Sequence, residues 1–433
     1  MEGDVNLSDR RVEWQHAHLS GQTSELLRRD EEVYLRQALS TPCLNALSSA
    51  HGSWIVDVEG RRYLDFHGNS AHQVGYGHPA VIGAVKDCLD TLPFCPRRYT
   101  NEPAVALAEK LSNLGPIAGG KVLLAPGGAE AVGMAMKLAR VATGRFKTVS
   151  MWDSFHGASL DAISVGGESF FRRNVGPLLP GTEHVSPPDP RRCPLGCGTT
   201  CSLACASYLE YVLEKEGDVG AVIAEPIRCT TVVAPPPEYW RRIRAACDRT
   251  GALLIFDEIP VCLGRTGALF ATELSGVEPD MVVLGKGLGG GVMPLAALLA
   301  RPELDVASES ALGHYTHEKS PLSAAAALAT LDVIVEERLV ERSRDLGARM
   351  IGELRSMAER HAAIVDVRGL GLLMAVEMAE PSAAEAVMYA CLSRGLSFKV
   401  SSGTVLTLTP PLTLSDDESQ FALSALESAL ACL

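Results

Sequence analysis

Two residues in this chain, Asp257 and Lys286, each close a short apolar run. Leu253-Leu254-Ile255-Phe256 leads into Asp257-Glu258, and Met281-Val282-Val283-Leu284-Gly285 leads into Lys286. A lysine amine among apolar neighbours is a nucleophile for an aldehyde, because burial disfavours its charged form. A carboxylate held nearby can pair with a protonated ring nitrogen. These are the two groups that a pyridoxal phosphate site requires: the lysine forms a Schiff base, and the aspartate keeps the pyridine ring an electron sink. The plainer alternatives are a solvated surface lysine, and a dinucleotide loop at Gly287-Leu288-Gly289-Gly290-Gly291. Lys286 has no polar company on either side, since Leu288, Val292, Met293, Pro294 and Leu295 follow it. The glycines lack the dinucleotide spacing and do not open a helix.

Other groups of residues offer chemistry of their own. Ala125-Pro126-Gly127-Gly128-Ala129-Glu130 follows a predicted strand and runs into an amphipathic helix, Met134 to Ala142. Free backbone N–H groups at a helix start, with glycines allowing close approach, make a phosphate cradle; a ligand-free turn is the alternative. Trp152-Asp153-Ser154-Phe155-His156-Gly157 follows the next strand. Phe155 there could stack on a flat heterocycle, although a core phenylalanine is the commoner use of such a residue. Cys193, Cys197, Cys201 and Cys205 recur every four residues in a loop opened by Pro187-Pro188-Asp189-Pro190. Four thiolates could staple that loop through a structural zinc ion, with free thiols or adventitious disulfides as the alternative because the spacing is not that of paired CxxC knuckles.

The elements that must position these groups are legible as an alternation. Short β-rich runs (Lys121 to Leu124, Thr148 to Met151, Ala221 to Ala224, Leu253 to Phe256, Met281 to Leu284) alternate with helical stretches between about residues 70 and 310. That pattern predicts an α/β fold with a mostly parallel sheet sandwiched by helices. Residues 7 to 40 read as helices, and Gly52 to Asp65 reads as a hairpin turning at Glu59-Gly60. Beyond residue 320, helices at Ala324 to Glu337 and Leu346 to Arg360, strands near Ile364 and Val405 and a helix from Asp416 predict a smaller α+β unit. The expected division is 1–65, helices and hairpin belonging to the small domain; 66–318, the large cofactor-binding domain; and 319–433, the C-terminal small domain.

The 433 residues suffice for such a pair of cores, and 47% hydrophobic with 21% charged residues is ordinary for a globular enzyme. A net charge of −13 argues against a nucleic-acid partner, which needs clustered lysine and arginine. No apolar run approaches the ~20 residues of a membrane span, and the start, Met1-Glu2-Gly3-Asp4-Val5-Asn6, is neither basic nor apolar. A cytoplasmic protein making no contact with membranes is expected, its twelve cysteines serving as thiols or metal ligands and not as a disulfide framework.

Taken together, the chain resembles the class III aminotransferases, a subgroup of the fold-type-I pyridoxal phosphate enzymes. The resemblance runs from Tyr63-Leu64-Asp65-Phe66 to Leu408-Thr409-Pro410-Pro411-Leu412, and is most specific at Asp257-Glu258, Gly264-Arg265-Thr266-Gly267, Pro279-Asp280 and Lys286 to Pro294. It implies that Lys286 is the Schiff-base lysine and proton carrier and that Asp257 pairs with the pyridine nitrogen. Gly128 and Ala129 would bind phosphate, Phe155 would stack on the ring with His156 beside it, and Glu225 would be the acidic residue near the cofactor. Thr316, in His314-Tyr315-Thr316, would reach the phosphate of a neighbouring subunit, which implies a homodimer with shared sites.

The departures from the family bear on the substrate. Members that use glutamate and 2-oxoglutarate carry a glutamate where this chain has Thr230, and a carboxylate-gripping arginine where it has Thr407. Without that pair, the usual means of accepting two differently charged substrates in succession is gone. Arginine stands instead at Arg228, and Arg97-Arg98 lies in a segment that such enzymes use near substrate; a guanidinium fork suits a phosphate or phosphonate, whereas a solvated arginine is the alternative for Arg97 and Arg98. A small anionic amine with a leaving group beside its amine-bearing carbon could react by elimination, giving an aldehyde and ammonia with no amino acceptor. Ser40 to Leu47, Asp257 to Pro260 and Gly313 to Pro321 resemble the family's branch of ammonia-lyases acting on 1-hydroxy-2-aminoethylphosphonate. The rival expectations are an aminotransferase of ω-amino acids or amines, and a catalytically silent member of the fold.

Overall fold

The computed structural model describes residues 8–38, 40–197 and 201–433. Its centre is a seven-stranded sheet in the order Lys121–Ala125, Ala296–Ala300, Met281–Leu284, Leu253–Asp257, Val219–Ala224, Lys147–Met151, Thr182–Val185. All neighbouring pairs are parallel except those made by Ala296–Ala300, which runs antiparallel to both its neighbours.

Alternation along the strands assigns side chains to the two faces. Ala221, Ile223, Ile255 and Val283 pack on one face beneath Ala131, Ala135, Leu138 and Ala139 of the helix Gly128–Thr143. Val222, Leu254, Phe256 and Val282 pack on the other with Tyr239, Trp240 and Ile243 of the helix Pro237–Thr250. Covering both faces is what allows Val219–Ala224 and Met281–Leu284 to be buried at every position.

The five predicted strands of this sheet are all present. Two others escaped prediction: Thr182–Val185, a half-polar edge strand, and Ala296–Ala300, whose alanines carry little β-propensity. The helix expected at Met134 begins six residues earlier, at Gly128, because its first turn serves the strand-to-helix junction instead of the apolar stripe.

Two four-stranded sheets accompany the large one. The hairpin turns at Glu59-Gly60 as predicted, with Gly60 at φ +80°, and its strand Arg62–Asp65 pairs in parallel with Leu396–Ser397. The chain's N-terminal hairpin is thereby hydrogen-bonded to its C-terminal part. The other sheet runs Ile364–Leu370, Leu373–Met378, Val405–Leu408, Lys399–Ser401. The final helix, Asp416–Leu430, opens with a capping box between Ser415 and Glu418.

Candidate active site

Because the strands ending at Met151, Ala224, Asp257 and Leu284 are mutually parallel, their carboxyl ends meet at one edge of the sheet, where open α/β sheets place ligands. A cavity of about 530 Å³ opens there, and Gly128, Ala129, Phe155, His156, Glu225, Arg228, Asp257 and Lys286 all line it. The structure thus brings together, in one chain, eight of the residues singled out from sequence.

Asp257 is buried and fixed from two sides. Its Oδ2 lies 2.8 Å from His156 Nδ1, and its Oδ1 accepts the Ile259 N–H at 3.1 Å. His156 Nε2 is buried with no partner among the described residues. The neighbouring Glu258 is committed elsewhere: it accepts the N–H groups of Ala271 and Thr272 at 2.6 Å, and burial pushes its carboxyl up to about 7 despite those bonds.

Lys286 corrects one expectation. The residues around it are buried, as their apolar character implied, but the lysine itself is exposed. It begins a 3₁₀ turn just beyond the strand, at φ +46°, so its side chain leaves the packed layers and joins the cavity wall. A left-handed backbone at a non-glycine residue is rare outside functional or tightly constrained sites. The constraint is visible in Gly287, where a Cβ would sit 1.9 Å from the buried Gln73 side chain.

Gly128 and Ala129 open the helix Gly128–Thr143 with no side chain capping it, so its first N–H groups face outward as the cradle requires. A Cβ at Gly128 would come within 2.8 Å of Ile259 Cδ1, which explains glycine there. Phe155 is half-buried and packs against Phe171 at a ring distance of 4.4 Å. Glu225 accepts the Cys229 N–H at 3.2 Å and so holds the turn that carries Arg228.

Arg228 is itself oriented: Nε donates to Thr230 Oγ1 at 3.2 Å and Nη2 donates to the Asp153 carbonyl. Thr407 is fully buried, and its hydroxyl reaches the Thr230 carbonyl at 2.8 Å and Ser401 Oγ at 2.9 Å. The two positions that depart from the family pattern are therefore bonded to each other, and one of them steers the arginine.

Arg97, Arg98 and Thr316 do not reach this cavity within the chain. Arg97 lies against the His314 ring, at 2.6 and 2.8 Å, and 4.0 Å from Glu318, while Arg98 and Thr316 are exposed. The zinc expectation is not supported. Among the described residues no group of three or more His, Cys, Asp or Glu side chains is arranged for a metal. Cys205 is buried in the main hydrophobic core at the start of the helix Ala204–Glu216, where burial pushes its thiol up to about 11. Cys197 instead hydrogen-bonds Ser202 at 3.2 Å. The residues that sequence reading missed are His67, Asn69, Lys399 and Ser402, which also line the cavity. They come from the N- and C-terminal parts of the chain, and no local motif marks them.

The cavity fits pyridoxal phosphate on its own chemistry. It offers an amine, a buried carboxylate already held by a histidine, an uncapped helix start and an aromatic ring on one set of walls.

Comparison with known proteins agrees. The Aminotransferase class-III family matches residues 36–430. An (R)-1-hydroxy-2-aminoethylphosphonate ammonia-lyase from Vibrio splendidus is 48% identical, covering 99% of this chain and 95% of that one. An acetylornithine aminotransferase from Methanopyrus kandleri is 36% identical over 89% of this chain and 94% of its own. The crystal structure of an amine transaminase from an uncultivated Pseudomonas species, in its PLP-bound form, superposes with a TM-score of 0.84 at 30% identity. It covers 92% of this chain and 97% of that one.

Proposed function

This chain belongs to the class-III aminotransferase family, and we propose that it uses that scaffold as a pyridoxal phosphate-dependent ammonia-lyase acting on a small aminophosphonate such as 1-hydroxy-2-aminoethylphosphonate. The observation that carries the lyase reading is the bond between Thr407 and Thr230. It closes off the place where an arginine–glutamate switch would alternate between substrates, while Arg228 lines the cavity as a fixed cation. The 48% identity to the Vibrio lyase supports the same reading.

When bound, pyridoxal phosphate supplies an aldehyde for the amine and a ring that stores an electron pair. Gly128 and Ala129 N–H groups would hold its phosphate, Asp257 its ring nitrogen and Phe155 its face. His156, bonded to Asp257, keeps that carboxylate oriented. Lys286, on the wall of the same cavity, would take a proton from the amine-bearing carbon through Nζ. Arg228 holds the phosphonate so that this carbon stays within reach of Lys286. Loss of hydroxide from the adjacent carbon, followed by hydrolysis of the carbon–nitrogen bond by water, would complete the proposed reaction. The water lost in the first step returns in the second, so the sum is one aldehyde and one ammonia, with no amino acceptor consumed.

The enzyme so proposed works in phosphonate catabolism, in the cytoplasm, as a homodimer in which Thr316 completes the partner's phosphate site. The exposure of Thr316, away from its own cavity, is consistent with that role. No helix among the described residues is long and apolar enough to cross a membrane. The test is an ammonia-release assay over small aminophosphonates, aminophosphates and ω-amino acids without any oxo acid; absence of ammonia from every anionic amine rejects the lyase.

A further inference from the structure

The cation missing at position 407 has a neighbour that replaces it. Lys399–Ser401 runs antiparallel to Val405–Leu408 with Lys399 directly opposite Thr407. Opposed residues in an antiparallel pair project from the same face of the sheet, within side-chain reach of each other. Thr407 spends its hydroxyl on the Thr230 carbonyl and on Ser401 Oγ, so it makes no claim on a ligand. Lys399 lines the cavity that holds Lys286 and Arg228.

We propose that Lys399 and Arg228 together form the subsite for the substrate's doubly charged phosphonate, with the cation that the family carries at position 407 supplied from the adjacent strand. This rests on the reading of the substrate as an anionic amine. The chemistry favours a dianion. Arg228 is anchored through Nε and Nη2, and both bonds leave Nη1 for a ligand oxygen. Lys399 adds a second positive charge on the same cavity wall, and a phosphonate has three oxygens and two charges to share between the two cations. The acidic side chains on the same walls have other partners: Glu225 accepts the Cys229 N–H, Glu168 accepts the Phe170 N–H, and Asp257 is paired with His156. Only Asp153, whose carbonyl holds Arg228, offers a carboxylate with no hydrogen bond among the described residues, and it sits on the exposed side. A pocket with two cations discriminates against singly charged carboxylates, which gain from one cation what a phosphonate gains from two.

The experiment measures binding of ethylphosphonate, which has the anion and no amine, to the wild-type holoenzyme and to K399M, K399Q and K399R, with propionate as the singly charged control. Retained cofactor absorbance shows that each variant keeps its site. The expected result is a Kd for ethylphosphonate about 10- to 100-fold weaker in K399M and K399Q, largely restored in K399R, with a smaller change for propionate. KM for the aminophosphonate should rise in parallel while kcat changes by less than about threefold. Ethylphosphonate binding K399M and K399Q within about twofold of wild type, or failing to bind wild type, overturns the proposal. If wild type releases no ammonia from aminophosphonates but the Lys399 variants still lose ethylphosphonate, the lyase reading falls and the anion subsite stands.

Discussion

At the scale of single residues, the proposed site divides into groups assigned to hold a cofactor and groups assigned to choose a substrate, and the two make different predictions. Lys286 belongs to the first. Lys286→Ala should abolish the absorbance of lysine-linked cofactor and lower turnover by roughly 10⁴-fold or more, as expected when the group that both anchors and moves the proton is removed. A K286A protein that keeps substantial turnover would exclude Lys286 from the chemistry. Arg228 belongs to the second group. Arg228→Met should leave the cofactor spectrum intact and reduce kcat/KM for an aminophosphonate by about 10- to 100-fold, mostly through KM, because a charge-assisted bond to bound anion is lost. Steady-state kinetics with a spectrum of the same sample separates the two cases. Lys286, Asp257, Gly128 and Phe155 were legible in the sequence because each sits at the end of a recognisable run. Lys399 was not, because only strand register places it in the cavity.

At the scale of elements, the strand-to-turn junctions do the positioning, and they tolerate little. Gly287 follows the lysine directly, and any Cβ there meets the buried Gln73 side chain. Gly287→Ala should therefore cost about 1–3 kcal/mol of stability and loosen the lysine turn, seen as a lower melting temperature and weaker retention of cofactor. An unchanged melting temperature would mean that Gln73 has room to withdraw. The cysteine loop makes a separate prediction. Hydrogen bonds from Ser202 and its backbone lower the Cys197 thiol from its ordinary value to about 7. Raising the pH through about 7 should thus turn on alkylation of Cys197, whereas the buried Cys205, pushed up to about 11, stays unreactive until far higher pH. Mass spectrometry of iodoacetamide-treated protein across pH 6 to 9, an interval of roughly one unit either side of the shifted value and beyond, reads both sites. The sequence showed four evenly spaced thiols but not their fate, since regular spacing along a loop says nothing about which side chain a hydrophobic core will take.

At the scale of the whole molecule, the alternating strands and helices were enough to anticipate a parallel sheet covered on both faces. What stayed hidden were the pieces joined across long stretches of chain: the strand Leu396–Ser397 beside the hairpin, and the antiparallel Ala296–Ala300 inserted into the sheet. Neither has a strong local signal, because tertiary pairing and not propensity decides them. The proposed dimer is open to a direct test. If Thr316 completes the partner's site, co-expressed K286A and T316D subunits, each inactive alone, should form mixed dimers in which one site has both wild-type residues, and activity should reappear; none would return if every site is built from one chain. The fate of the amine separates a lyase from a transaminase most directly. Wild-type enzyme mixed with (R)-1-hydroxy-2-aminoethylphosphonate and no oxo acid should release one ammonia for each aldehyde formed, over many turnovers, with the cofactor absorbance unchanged at the end. A single equivalent of aldehyde per site, with the cofactor left in its pyridoxamine form until pyruvate or 2-oxoglutarate is added, would contradict it and make the enzyme a transaminase.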